Sequence, residues 1–194
     1  IQGGYNNIWE TINYLSCSSQ SQLNVVEEIL EHWTNSSYKN TKVIISGPSG
    51  VGKRYVGALL KSKIEDKEQS FVKLFYNVDL STPGLNIQHI LNMATRKSPV
   101  IMIVPNIDRN YAQVYQDEDS SRYLGGTAPT DSKLSFNNTL DAVESAENVI
   151  AIYTTTKTKK ELDAVKVNSG YGFSSQDYRS FYREGRVDLF KTLK

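Results

Sequence analysis

Residues 42–60 read KVIISGPSGVGKRYVGALL, and this stretch decides the fold of the 194-residue chain. The β-branched run over residues 43–45 is apolar on both faces, which predicts a strand buried inside a parallel sheet. Apolar residues after Lys53 recur at helical spacing and predict a helix over residues 55–64. The segment G-x-x-x-x-G-K over residues 47–53 therefore lies between a strand and a helix, the context in which this motif binds phosphate.

The loop between strand and helix has the composition of a phosphate-binding loop. Its glycines allow successive backbone N–H groups to turn inward as a nest for an anion, and the positive end of the following helix faces the same point. Lys53 would reach the outer phosphates as a cation. A Gly-rich turn with a surface lysine is the simpler interpretation, but the flanking strand and helix argue against it. We predict that eight consecutive residues bind the phosphates of a nucleotide: Gly47, Pro48, Ser49, Gly50, Val51, Gly52, Lys53 and Arg54.

Position 54 departs from the motif. The motif has Ser or Thr there, whose hydroxyl group ligates Mg²⁺. Arg54 cannot ligate a cation and brings its own positive charge, which either replaces part of the charge of the metal or points to solvent. Binding of an ordinary magnesium nucleotide is therefore in question, and we predict no metal-ligating residue.

Strands and helices alternate along the rest of the chain. Apolar strands are predicted over residues 71–76, 99–104 and 149–153, and helices over residues 87–94 and 134–143. Strands that are apolar on both faces and alternate with helices are typical of a parallel sheet covered on both sides. The sequence therefore predicts a three-layer α/β fold.

The domain organisation follows from the same patterns. Two helical patterns, over residues 8–15 and 23–30, precede the phosphate-binding segment. We assign residues 1–41 to an N-terminal helical flank and residues 42–194 to the α/β core. Within the core, residues 110–133 contain few large apolar side chains and predict a long loop insertion.

Composition and charge exclude several classes of protein. Lys and Arg number 22 and Asp and Glu 21, for a net charge of +1, which removes the main argument for a nucleic-acid partner. The single cysteine, Cys17, excludes an internal disulfide and a Cys-rich zinc site and fits a reducing compartment. The apolar run over residues 100–104 is far shorter than the about 20 residues that cross a bilayer. We expect a soluble, intracellular domain.

Several further segments carry a likeness to a known family. In chain order they are YNVDLS over residues 76–81, SPVI over 98–101, LSFNNTLDAV over 134–143 and REGRVD over 183–188. With these pieces the chain resembles the AAA ATPases. It is most similar to the branch that contains the mitochondrial Rieske-protein translocase, the chaperone of the cytochrome bc complex.

The resemblance implies an architecture and a ligand. It implies a P-loop core, the large subdomain of the family, with five parallel strands and a nucleotide site at their carboxyl ends. Lys53 would lie at the mouth of that site, and ATP or ADP would be the ligand, bound weakly. The small helical lid of the family would follow Asp188, and we expect none within this chain.

The departures from the family pattern concern its catalytic residues. In the family, the Walker B strand ends in two acids that hold Mg²⁺ and polarise the attacking water, and here Pro105 and Asn106 occupy those places. Only Asp108, the outer acid, remains. The polar sensor of the family is usually Asn, and Lys157 stands at its position. The resemblance therefore implies a nucleotide-binding domain in which hydrolysis is lost or nearly lost, with Asp108 and Lys157 as the remaining candidates for a catalytic role.

Two arginines near the end of the chain match a further family motif. In AAA rings the arginines of this motif reach into the nucleotide site of a neighbouring subunit, and Arg183 and Arg186 have the family spacing. The resemblance implies that both act in trans. The partner would be a homo- or hetero-oligomeric AAA ring, or a second AAA domain in a longer protein.

Three alternatives stay open. The loop is also similar to that of guanylate kinases, although their loop lies near the N-terminus and a GMP-binding segment soon follows it. A second alternative is an interaction module that binds no nucleotide. The third is an active AAA ATPase with divergent motifs.

Overall fold

The computed structural model of the protein describes residues 18–80, 82, 85–116, 133–164, 166–167, 176–177 and 185–194. The helix expected over residues 8–15 and the side chain of Arg183 lie outside the described residues. So does the central part of the insertion expected over residues 110–133.

The described residues form six helices and seven strands. The helices are α1 (Gln20–Asn35), α2 (Tyr55–Glu68), α3 (Ile87–Leu91), α4 (Ile107–Gln116), α5 (Lys133–Glu144) and α6 (Lys159–Ala164). The strands are β1 (Asn40–Ser46), β2 (Lys73–Phe75), β3 (Val100–Val104), β4 (Val149–Thr155), β5 (Lys166–Val167), β6 (Gln176–Asp177) and β7 (Leu189–Thr192).

Five strands form one parallel sheet in the order β2-β3-β4-β1-β7. The strand β1 lies between β4 and β7, with Val43 opposite Ile152 on one side and Leu189 on the other. Every residue of β1, β3 and β4 is buried, as their continuous apolar sequences predicted. The five-stranded parallel sheet is confirmed. The short strands β5 and β6 form a separate antiparallel pair.

Helices cover both faces of the sheet, which confirms the three-layer α/β fold. Successive residues of a strand point to opposite faces. On one face, Ile44 and Met102 belong to a core cluster with residues of α3, α4 and α5. On the other face, Val43 and Ile103 pack with α1 and α2 around Trp33, which is fully buried.

Some element bounds differ from those expected. The strand β1 begins at Asn40, two residues before the expected start of the core, and β2 is limited to Lys73–Phe75. Residues 110–116 belong to α4 rather than to a loop. Tyr111 explains the difference, because its ring is buried against Phe136 with the ring centroids 5.9 Å apart. Tyr111 and Ile107, both fully buried, anchor the helix in the core.

No helix within the described ranges is long and apolar enough to cross a membrane.

Candidate functional site

The loop over residues 47–53 leaves the sheet at the carboxyl end of β1, and ligands of open parallel sheets usually bind at this end. The N–H of Gly47 donates to the carbonyl of Thr155 at the end of β4, at 3.3 Å. On the other side, the N–H of Leu193 donates to the carbonyl of Ser46, at 2.8 Å. The base of the loop is thus held between two neighbouring strands, and its tip at Pro48, Ser49 and Gly50 is exposed.

The glycines of the loop adopt backbone conformations that other residues rarely take. Gly50 has a φ of 86° and Gly52 a φ of 79°, both in the region that favours glycine. A Cβ atom at Gly52 would also clash with the side-chain amide of Gln22. The curvature expected of an anion-binding nest is therefore built on positions where glycine is required.

Lys53 lies over the loop. Its Nζ donates to the carbonyl oxygens of Gly47 at 2.6 Å and Pro48 at 2.7 Å. Burial, followed by the charge of neighbouring Arg54, lowers the pKa of Lys53 below its ordinary value. These bonds hold the ammonium group across the loop, where a phosphate group bound in the nest would meet it.

Arg54 occupies the N-cap position of α2, and no side chain caps that helix. The N–H of Tyr55 bonds to the carbonyl of Gly52 at 2.9 Å, so the loop passes directly into the first turn. The exposed Arg54 side chain donates from Nη1 to Oδ1 of Asn77, at 2.7 Å. The partial positive charge of a helix N-terminus and two cationic side chains therefore meet at the loop.

Asp108 and Lys157, both expected at the site, are brought together by the fold. Asp108 lies in the first turn of α4, and its Oδ1 accepts a hydrogen bond from the Thr155 hydroxyl at 2.8 Å. The Nζ of Lys157 lies 3.8 Å from the Asp108 Oδ2. The Ser46 hydroxyl donates to the Lys157 carbonyl at 2.7 Å, which ties this pair to the base of the loop.

Pro105 and Asn106 form a turn after β3, which ends at Val104. Asn106 has a φ of 48° and is exposed, and its carbonyl accepts the N–H groups of Arg109 and Asn110 at the start of α4. The described residues contain no group of three or more His, Cys, Asp or Glu side chains arranged to hold a metal ion. Arg54 and Pro105 offer no side-chain oxygen to a magnesium ion, and the amide of Asn106 lies on an exposed turn.

Arg186 lies just before β7, at the end of the sheet opposite the loop. Its side chain is buried, and Nε donates to Oδ1 of Asp141 at 2.8 Å while Nη1 donates to Oδ1 of Asn137 at 2.8 Å. Both partners belong to α5 of the same chain. We expected Arg186 to reach a neighbouring subunit, whereas here its guanidinium group is bound within its own chain.

Gln22 is a residue of the site that sequence reasoning missed. It is buried on α1, and its Nε2 donates to the carbonyl of Val51 in the loop at 3.0 Å. Its Oε1 accepts the backbone N–H of Ser19 at 2.9 Å, completing a capping box at the start of the helix. The Ser19-x-x-Gln22 pattern signals the helix start, but nothing in the sequence links it to the loop.

Comparisons with known proteins find likeness in structure and none in sequence. No family model matches the chain, and no curated protein matches it. A chain in the structure of the E. coli MS115-1 HORMA:CdnC:Trip13 complex is 11% identical, with a TM-score of 0.57 over 97% of this chain and 67% of that one. The structure of C. elegans PCH-2 is also 11% identical with a TM-score of 0.57, over 95% of this chain and 46% of that one. With its five-stranded parallel sheet and flanking helices, the chain has the fold of an AAA+ ATPase domain.

Proposed function

We propose that the chain is an AAA-type domain that binds ATP or ADP weakly and has lost or nearly lost hydrolysis. One observation carries this proposal. The loop over residues 47–53 lies at the carboxyl end of β1, with glycines at positive φ and Lys53 across it. The AAA-type fold favours this function over that of a guanylate-kinase-like enzyme, which no specific contact supports.

The impaired hydrolysis is argued from the residues that replace the catalytic groups. Phosphoryl transfer needs the charge of a metal, a positioned water and cationic stabilisation. Arg54 and Pro105 supply no side-chain ligand for a metal, and Asn106 is neutral and a poor base. Asp108, the remaining acid, is bound to Thr155 and faces Lys157.

The proposal extends to an assembly. The similar E. coli structure is of a complex in which Trip13 is present with HORMA and CdnC. We propose that this domain also works beside other subunits or a second AAA domain, and that Arg183 reaches the neighbouring site. The contacts of Arg186 with Asp141 support an intrachain role for that residue instead. A relation to the Rieske-translocase branch rests on the sequence motifs alone.

Nucleotide binding is tested by titrating a fluorescent ADP or ATP analogue into the purified chain. Binding that is lost in Lys53→Ala and retained in Lys63→Ala supports the proposal. Lys63 is the matched control, since it lies on the same helix α2 and pairs with Glu27 at 3.0 Å, away from the loop. Absence of binding in the folded wild-type chain would identify an interaction module instead.

Hydrolysis is measured on the same preparation as phosphate release. We expect turnover near background in the wild-type chain. Robust magnesium-dependent turnover that Lys53→Ala abolishes would identify an active ATPase with divergent motifs. Phosphorylation of GMP would identify the guanylate-kinase alternative.

A further inference from the structure

The charges around the loop suit a ligand that carries more negative charge than a magnesium nucleotide does. We propose that the site binds a metal-free nucleoside polyphosphate, with the guanidinium group of Arg54 in the place of the metal charge. The inference rests on the proposed function, because it concerns the ligand of the same site.

The first step concerns the missing ligands for a metal. Arg54 occupies the position of the hydroxyl ligand, and a permanent cation there repels Mg²⁺. The acid that remains, Asp108, has one carboxylate oxygen bonded to Thr155 at 2.8 Å and the other 3.8 Å from the Lys157 ammonium. A metal ion would have to displace a lysine from Asp108 and approach an arginine. Two features of the site therefore oppose binding of a metal ion: the charge of Arg54 and the lysine beside Asp108.

The second step concerns uncompensated positive charge. Lys53 donates to two backbone carbonyls and Arg54 to an amide, and no described carboxylate forms an ion pair with either of them. Burial and then the charge of Arg54 lower the pKa of Lys53, so the two cations oppose each other in the free protein. An anion bound between them would offset both the burial of the Lys53 charge and its repulsion by Arg54.

The third step concerns how Arg54 is positioned. Asn77 follows β2, has a φ of 56°, and accepts the Arg54 Nη1–H at 2.7 Å. The neighbouring N–H of Val78 bonds to the carbonyl of Ile103 at 2.9 Å, which fixes this segment to the central part of the sheet. A guanidinium group has five N–H donors in a rigid fork. The bond to Asn77 therefore orients the group and leaves donors for phosphate oxygens.

The consequence is a preference between two forms of one ligand. Magnesium neutralises part of the charge of a triphosphate, so metal-free ATP is the more strongly charged anion. At a loop with two cationic side chains, we expect metal-free ATP to bind about tenfold more tightly than its magnesium complex. An ordinary P-loop has the opposite preference, since its hydroxyl group and its acids ligate the metal.

The experiment titrates ATP into the full chain by calorimetry, once in excess EDTA and once in excess Mg²⁺, at matched ionic strength. The wild-type chain should bind about tenfold more tightly in EDTA. Arg54→Thr, which restores the hydroxyl group of the motif, should lose affinity in EDTA and lose the preference. Arg96→Thr removes the same charge from an exposed position before β3, at the end of the sheet opposite the loop, and should change neither value.

The possible results separate the two proposals. Tighter binding with Mg²⁺, or equal binding in both buffers, overturns metal-free binding and leaves the nucleotide-binding function standing. No binding in either buffer by a chain with an intact thermal transition overturns the function itself. The wild-type comparison decides the question even where Arg54→Thr fails to fold.

Discussion

The side-chain amide of Gln22 donates a hydrogen bond to the backbone carbonyl of Val51, over an N–O distance of 3.0 Å. The bond joins the first turn of α1 to the loop over residues 47–53. No cis peptide bond occurs among the described residues, so the N–H of Gly52 points away from the carbonyl that Gln22 holds. Gln22 therefore fixes the orientation of one peptide group of the nest.

Replacing Gln22 should weaken phosphate binding without unfolding α1. In Gln22→Glu the carboxylate still accepts the N–H of Ser19, so the capping box is kept, but nothing donates to Val51. Loss of one hydrogen bond predicts pyrophosphate affinity about two- to tenfold lower, measured by calorimetry. The amide proton resonance of Gly52, followed by NMR, should respond less to added pyrophosphate.

The negative charge that Gln22→Glu introduces requires a separate control. Gln20→Glu puts the same charge on the same turn, at a side chain that bonds to Asn24 rather than to the loop. We expect this control to change affinity little, while the neutral Gln22→Met weakens binding as Gln22→Glu does. Equal losses in Gln20→Glu and Gln22→Glu would mean that charge, and not the bond to Val51, sets the affinity.

Two glycines of the loop form a matched pair for a second prediction. Alanine at either Gly50 or Gly52 is strained by the positive φ, at about 1–2 kcal/mol. A Cβ at Gly50 meets no neighbouring atom, whereas one at Gly52 clashes with Gln22. We expect Gly52→Ala to reduce nucleotide affinity more than Gly50→Ala does, as measured by titration. Equal losses would show that Gln22 moves aside at no cost, and the reverse order would contradict the prediction.

A third prediction concerns pH. Because the pKa of Lys53 is lowered, its ammonium group loses its proton at a lower pH than an ordinary lysine would, and a neutral amine attracts phosphate less. Nucleotide affinity should therefore fall as pH rises through that pKa. In Arg54→Thr one of the two causes is removed, so the pKa rises and the fall should move to higher pH.

The measurement is a series of dissociation constants above about pH 7.5, where the terminal phosphate is already ionised. Lys53→Arg serves as the control, since arginine stays protonated over this range. Its affinity should not vary with pH. A fall of the same size in Lys53→Arg would assign the titration to another group.

The fourth prediction assigns Arg186 to stability. A double-mutant cycle of Arg186→Met and Asp141→Ala, measured by urea unfolding, should give a coupling energy of about 1–2 kcal/mol. The pair Lys63 and Glu27 is more exposed and should give less than about 1 kcal/mol in the same cycle. If Arg186→Met left stability unchanged and lowered the ATPase of a competent partner, the residue would act in trans.

The sequence predicted those parts of the fold that depend on local pattern. Continuous apolar runs predicted the strands β1, β3 and β4. The glycines and Lys53 predicted the loop that follows β1. The strand β7 was not identified, because its first three residues are only partly buried and its short sequence has no strong pattern. Its place in the sheet depends on pairing with β1, more than 140 residues earlier in the chain.

Contacts between distant residues account for what the sequence left open at the site. Gln22 and Val51 lie 29 positions apart, and Arg186 and Asp141 lie 45 positions apart. In neither pair does the separation along the sequence indicate that the two residues are in contact. The resemblance placed Arg186 in a motif, but only the fold reveals that a carboxylate of its own chain lies within reach.

The strand β7 supports the loop as well as the sheet. It lies at the edge of the sheet, and edge strands are among the first elements to open in a folded protein. Its end also backs the loop, since Leu193 bonds to Ser46 and its carbonyl oxygen leaves no room for a side chain at Gly47. Opening of β7 would therefore also remove contacts that support the base of the loop. If the loop binds phosphate as we propose, thermodynamic linkage requires that whatever stabilises β7 strengthens phosphate binding, and that bound phosphate stabilises β7.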